Sequence, residues 1–252
     1  MNPYLLSLVV VFLYFSAIFL YAQKIDNYSI VDIGWGPGFA VIAWTHFFVR
    51  SNDYNLLPAL LVTIWSLRLF IHIARRNIGK PEDYRYVEMR KSWGKHVKLN
   101  AYIRVFLLQA GFQYLVAMSI TSAGATLATP ALMYIGMFIF FFGLLFETIG
   151  DQQLKDFIKT RTSKEQIIDT GLWRYTRHPN YFGEALLWWG FFMVALAYGA
   201  PEISVIGPIT ITILVRFISG VPFLERRYAD HKNYQEYAKK TSVFIPMPPK
   251  KL

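Results

Sequence analysis

Apolar residues along this chain gather into seven stretches, at about residues 3–22, 33–49, 55–74, 105–125, 130–149, 181–199 and 203–221. A bilayer core of about 30 Å is crossed by roughly 20 apolar residues in a helix. Each stretch approaches that length, so the pattern predicts an all-α integral membrane protein with seven transmembrane helices. The first stretch carries no charge from Pro3 to Ala22, and no Lys or Arg precedes it, which reads as a retained span rather than a cleaved leader. The second is interrupted near its start by Gly34, Gly36, Pro37 and Gly38. No internal repeat and no long linker divides the chain. The expectation is one membrane domain over residues 1–252, with loops 75–104 and 150–180 and a tail 222–252 on the same side.

The polar connectors set the direction of the spans. Basic residues crowd into the connector between spans three and four (Arg75, Arg76, Lys80, Arg85, Arg90 and onward to Arg104). They crowd again between spans five and six (Lys155, Lys159, Arg161, Lys164, Arg174, Arg177) and in the tail (Arg226, Arg227, Lys232, Lys239, Lys240, Lys250, Lys251). The alternate connectors hold Arg50 and little else. With seven spans all the basic segments fall on one side, and the Lys/Arg bias marks that side as cytoplasmic. The N-terminus is then outside and the C-terminus cytoplasmic.

Composition narrows the partners. Lys and Arg total 26 against 16 Asp and Glu, a formal net charge of +10, which alone would suggest nucleic acid. With 54% apolar and only 17% charged residues, the basic groups instead serve membrane topology, so no nucleic-acid partner is expected. There is no cysteine, which removes thiolate metal sites and a cysteine nucleophile. The five histidines lack zinc-site spacing, and neither a GxGxxG nor a P-loop occurs, so no metal is expected.

Ionisable residues inside spans are costly and point to function by default. Asp32 opens the second span beside its glycine-rich start. Arg68 and His72 lie one turn apart on the third, Gln109 and Gln113 one turn apart on the fourth, and Arg216 in the inner half of the seventh. Glu147 and Asp151 form a further one-turn pair at the end of the fifth. The densest cluster is Thr170 to Gly190, TGLWRYTRHPNYFGEALLWWG, with Arg174, Arg177, His178, Asn180, Tyr181 and Glu184 at the mouth of span six. Guanidinium forks suit phosphate or carboxylate, and free N–H groups at a helix start favour anions. The cluster therefore reads as an anion clamp with neutral hydrogen-bonding groups attached.

The segment GLWRYTRHPNYFGE, together with ERRYADHKNYQEYAKKTSVFIP in the tail and SIVDIGWGPGF near the start, resembles the membrane steroid 5α-reductase family. More closely it resembles that family's bacterial branch, long labelled as a domain of unknown function. The resemblance covers about residues 25–247. It implies a seven-helix enzyme of a bacterial inner membrane that uses NADPH to reduce a carbon–carbon double bond conjugated to a carbonyl. It places Asn180, Tyr181 and Glu184 in the cofactor pocket, and Asp151 and Lys155 on cofactor-contacting positions. Asn77 and Lys80 fall in a loop lining that pocket, and Arg174, Arg177, His178, Arg216, Arg226 and Tyr228 complete the cofactor side. The substrate end departs from the steroid enzymes: Val31-Asp32 stands where they carry Gln-Glu, and Trp65 replaces a carbonyl-binding tyrosine. Asp32, in protonated form, with Trp65 and Tyr181, is then the expected catalytic group, acting on a lipophilic substrate drawn from the bilayer.

Two other readings compete. Arg177 to Gly183 and Glu225 also resemble the S-adenosylmethionine-dependent isoprenylcysteine carboxyl methyltransferases, although those usually carry two adjacent tail glutamates. A non-enzymatic transporter or lipid-binding protein is the third, opposed by the absence of an inverted repeat.

Overall fold

The computed structural model describes residues 2–163 and 165–251; Lys164, one of the basic loop residues, lies outside the described residues. It is almost wholly helical, and among the described residues the only strand-like pairing is a parallel bridge between Thr176 and Ser242. Among the described residues four helical stretches are long and apolar enough to cross a membrane: Pro3–Ile25, Leu56–Asn77, Pro130–Thr160 and Glu202–Arg227. Their outer surfaces are greasy, with Leu20 at 68% and Phe138 at 70% exposed. Such surfaces are the mark of a membrane protein. The chain divides into two compact units, one up to Pro130 plus Ala195–Gly207, the other Ala131–Val194 plus Pro208 to the C-terminus.

In the first unit, α1 (Pro3–Ile25) starts where the Asn2 side chain accepts the N–H of Tyr4, with Pro3 in the first turn, a standard N-cap arrangement. It stops at Asp26 in the left-handed conformation. Helix α2 (Ile30–Val49) runs without a break through the glycine-rich segment, which corrects the expectation of an interrupted start. The glycines instead admit close neighbours. Gly36 faces the Ser66 carbonyl on α3 (Leu56–Asn77), and Gly38 faces the Gln113 carboxamide. Gln113 is fully buried and donates to the Trp35 carbonyl at 2.7 Å, so here the glutamine ties helices together. The basic connector folds as α4 (Tyr84–Trp93). The fourth apolar stretch is not one helix: α5 (Val97–Ala101), a π-helical turn Tyr102–Leu107, α6 (Leu108–Val116) and α7 (Met118–Ser122) follow one another. Ser7 of α1, His46 of α2 and Thr121 of α7 form a buried hydrogen-bonded string at 2.7 Å each.

The second unit is built on α8 (Pro130–Thr160) and α9 (Pro179–Ala197). Helix α8 continues well beyond the expected span, so Asp151 and Lys155 sit on a rigid helix rather than in a loop. Gly136, Gly143 and Gly150 recur every seven residues on α8, and Gly183 and Gly190 do so on α9. Seven residues are nearly two turns, so each set shares a face. The two faces meet backbone to backbone: Gly183 lies against Gly143 and the Glu147 amide, and Gly190 against Gly136 and the Phe140 amide. Such crossings hold membrane helices together by van der Waals packing where no hydrophobic drive exists. Beyond α10 (Ile206–Ile213), a π-helical turn Leu214–Ile218 precedes α11 (Val221–Arg227) and α12 (Lys232–Lys240).

A Cβ at Gly183 has no room without separating α8 from α9. Gly183→Ala is expected to destabilise the protein by about 1–3 kcal/mol, the usual cost of overpacking. A lower melting temperature in detergent measures it; an unchanged one contradicts the assigned crossing.

Candidate functional site

The approach to α9 is tied down at every turn. The 3-10 turn Gly171–Arg174 is fastened to α8 by Leu172 N–H to the Gln153 carbonyl oxygen (3.0 Å) and by the Trp173 indole N–H to the Gly150 carbonyl (3.0 Å). Gly171 has φ 59, a left-handed turn that suits glycine. Residues Tyr175 to Arg177 then run beside the C-terminal tail. Arg177 N–H donates to the Ser242 carbonyl, the Thr176 hydroxyl to the Phe244 carbonyl, and Met247 N–H to the Tyr175 carbonyl, all at 2.8–2.9 Å. Tyr237 of α12 donates its hydroxyl to the Trp173 carbonyl.

Glu225 is the hub of this assembly. Its carboxylate accepts a bidentate fork from Arg177 (Nε 3.0 Å, Nη2 2.9 Å), the His178 Nε2 at 2.8 Å and the Tyr234 hydroxyl at 2.6 Å. Arg177 spends its remaining donors on the carbonyls of Ala238 and Thr241, both at 2.9 Å. The guanidinium fork of Arg177, expected to clamp an anion, here holds the protein's own Glu225. His178, also expected to contact cofactor directly, spends one nitrogen on Glu225. Burial lowers the pKa of His178 and outweighs the opposing pull of Glu225, with smaller lowering contributions from Arg177 and Arg216. The ring is thus neutral, with Nε2–H donating to Glu225, and its buried Nδ1 is an acceptor with no partner. Burial and then Glu225 push the Tyr234 hydroxyl far above its usual range, so it stays a donor.

Two residues on, Asn180 donates its amide to Asp151 at 3.0 Å, while its buried carbonyl oxygen has no partner. This joins two residues that the sequence places together only by inference. The Tyr181 ring lies 5.9 Å from that of His178 and against Gly220, and Glu184 is buried one turn into α9. Arg216, on the π-helical turn, makes no hydrogen bond or ion pair among the described residues and stacks on Phe217 at 4.7 Å. Its charge still reaches His178. A π-turn marks many functional positions. Lys155, Arg174 and Arg226 are exposed, and Tyr228 stacks on Tyr234 at 5.3 Å.

The other expected residues lie in the first unit. Both oxygens of Asp32 are engaged, by Arg85 Nη2 and the Tyr86 hydroxyl at 2.7 Å each. Asp32, expected as a hydrogen-bond-donating acid, is placed here as the acceptor of an arginine and a tyrosine. Arg85 also grips Asp83, whose pKa falls because the Arg85 bonds and charge overcome burial. Burial and Asp32 raise the pKa of Tyr86 well above the ordinary value. Trp65 is completely buried and meets Phe39 edge-on at 5.5 Å. Asn77 accepts from Arg76 at 3.2 Å, and the exposed Lys80 follows the left-handed Gly79. Arg85, Tyr86 and Tyr234 were not legible as partners, and Glu225 only as an isolated tail glutamate. Their signal is a carboxylate or tyrosine many residues from its partner, which spacing cannot reveal. Among the described residues no group of three or more His, Asp or Glu is placed to hold a metal.

Helices of membrane length mark a helical membrane protein, with an ordered polar cluster at the start of α9. The chain belongs to the DUF1295 family: the family model described as "Protein of unknown function (DUF1295)" matches residues 18–241. The steroid 5α-reductase resemblance is consistent with that family. The chain is also similar to "Uncharacterized protein C594.04c" of Schizosaccharomyces pombe, 28% identical over 223 residues, covering 76% of this chain and 64% of that protein. The chain thus spans less than two thirds of that relative. No solved structure matches it.

Two outcomes follow from the Glu225 hub. Glu225→Ala strands Arg177, His178 and Tyr234, and is expected to cost about 2 kcal/mol or more, reduced from the fully buried case by partial exposure. Because the folded His178 holds its proton less tightly than the unfolded chain, its contribution is complete above an unfolded pKa of about 6.5 and is lost as pH falls below it. Thermal unfolding between pH 7 and 5 should show stability falling with pH, and His178→Gln should flatten the slope.

Proposed function

We propose that this protein is a membrane oxidoreductase that binds NADPH and reduces a conjugated carbon–carbon double bond in a lipophilic carbonyl compound. The observation that carries the reading is Asn180: its amide is committed to Asp151 while its buried carbonyl oxygen lacks a donor. An unpaired buried acceptor costs about 1–3 kcal/mol, so it is retained where a ligand satisfies it. The same unit presents the unpaired Arg216 and the exposed Lys155, Arg174, Arg226 and Arg227. A ligand bringing an amide donor and several negative charges fits this set, and NADPH carries a carboxamide and phosphates.

In this reading Asn180 orients the carboxamide, Asp151 fixes Asn180, and Arg216 with the exposed cations neutralises phosphate. Tyr181 and buried Glu184 line the apolar side. When bound, NADPH supplies the hydride. Glu225, Arg177 and His178 hold the start of α9 in position for this work. Within the first unit Asp32 is a fixed charge, and Arg85 keeps its Nη1 donors free of Asp32 and Asp83. Trp65 is a wall of the first unit rather than an acid. The finer topology belongs to the same reading: seven spans, the N-terminus outside, and the cofactor site facing the cytoplasm of a bacterial inner membrane.

The resemblance to the methyltransferases rests on Arg177, His178 and Glu225, which here bond to one another. That mutual bonding is a scaffold role, whereas Asn180 with Asp151 favours the reductase. Purified protein is expected to gain about 2.7 kcal/mol of stability at an NADPH concentration 100 times the Kd. Asn180→Ala and Arg216→Gln should each remove most of that gain while the apo protein still unfolds cooperatively. Stabilisation by S-adenosylmethionine and none by NADPH would overturn the proposal.

A further inference from the structure

The C-terminal tail does more than brace the start of α9. Past α12 it runs as a strap along Tyr175–Arg177, and then Lys250 N–H donates to the Lys240 carbonyl at 2.9 Å. That one bond folds the end of the chain back onto the end of α12. It brings Lys250 and Lys251 beside Lys239 and Lys240, and all four are exposed. None has a carboxylate partner among the described residues. Glu236, one turn earlier on α12, is exposed and joins no ion pair. The α12 dipole favours cations at its C-terminus, which accounts for Lys239 and Lys240 but not for the added pair. Four neighbouring ammonium groups repel one another unless an external anion is present.

The strap also presents apolar surface. Phe244 turns inward and packs edge-on against Phe182 at 5.9 Å, while its neighbour Ile245 turns outward at 57% exposed. Met247 is 54% exposed and Tyr175, to which it bonds, is 43% exposed. The segment bends over residues 243–245, so that Phe244 is committed inward while Ile245 and Met247 stay open. Lysines beside exposed Ile, Met and Tyr match the boundary where lipid headgroups meet acyl chains. A soluble phosphate would need only the lysines.

We infer that the strap Ser242–Met247 with Lys239, Lys240, Lys250 and Lys251 forms a docking surface for anionic phospholipid in the membrane that holds the protein. A polybasic cluster adjoining apolar membrane helices attracts anionic lipid, and both ingredients lie in the second unit. The docked lipid bears on the start of α9 because the strap bonds directly to Tyr175, Thr176 and Arg177. This inference does not depend on which cofactor the protein uses.

Native mass spectrometry of the whole protein, released from neutral detergent carrying equal phosphatidylglycerol and phosphatidylcholine, tests it. Wild type is expected to retain phosphatidylglycerol about tenfold over phosphatidylcholine, from electrostatic attraction of several lysines. K239Q/K240Q/K250Q/K251Q should lose the preference, and the corresponding four-arginine variant should keep it, which separates lost charge from lost folding. Ile245→Ser with Met247→Ser should lower retention of both lipids. Equal retention of the two lipids by wild type would overturn the inference, as would full preference in the four-glutamine variant. Displacement of phosphatidylglycerol by inorganic phosphate at millimolar concentration would overturn it in favour of a soluble-anion site.

Discussion

A single carboxylate organises the second unit. Glu225 collects a guanidinium fork and an imidazole N–H from the adjacent Arg177 and His178, and a phenol hydroxyl from Tyr234 of α12. Partly buried charge is tolerated because both carboxylate oxygens have donors and the arginine supplies the compensating charge. Remove that balance and the loop before α9, α12 and the tail lose their common anchor. Arg177 extends the arrangement by capping the carbonyls of Ala238 and Thr241, which α12 leaves unpaired at its end. The hub therefore fixes where α9 begins, and with it the position of Asn180.

Around that anchor the helices are held by shape rather than by greasiness. In a bilayer the lipid tails are as apolar as leucine, so α8 and α9 gain little from burying apolar surface against each other. The glycine faces let their backbones touch, and Phe138 and Leu145 remain free to face lipid. The first unit uses a different device beside its apolar helices. Arg85 and Arg90 pair with Asp32, Asp83, Asp26 and Glu82, and the Arg90 guanidinium sits 3.9 Å over the Tyr28 ring. These pairs pin the basic connector to the junction of α1 and α2.

The functional reading follows from what these anchors leave unspent. Glu225 and Arg177 spend their polar groups on bonds within the protein. In the second unit His178 Nδ1, the Asn180 carbonyl oxygen and Arg216 are left over, within a few residues or one electrostatic reach of each other. In the first unit His46 Nδ1 and Gln113 Oε1 are also without partners among the described residues. Asp32, the residue that burial in a span had marked most strongly, turns out to be satisfied. Strength of sequence signal and availability for chemistry are thus different quantities.

Much was legible from the residues alone. Helical class, membrane-length apolar runs and the TRHPNYFGE cluster all follow from local pattern, because hydropathy and helix periodicity act over a few turns. The length of α8 and the continuity of α2 through Pro37 and its glycines were not, since packing partners decide whether a helix persists past a weak point. The charged residues divided in the same way. The sequence by itself determined that Asp32 opens a span, where an ionisable group is expensive, and that Arg177, His178 and Asn180 cluster at the mouth of another. Only the tertiary structure decided which of them are paired, since Glu225 lies 48 residues after Arg177 and Arg85 lies 53 after Asp32. The free energy of a buried charge depends on partners within a few ångströms, and the folded chain alone sets that distance.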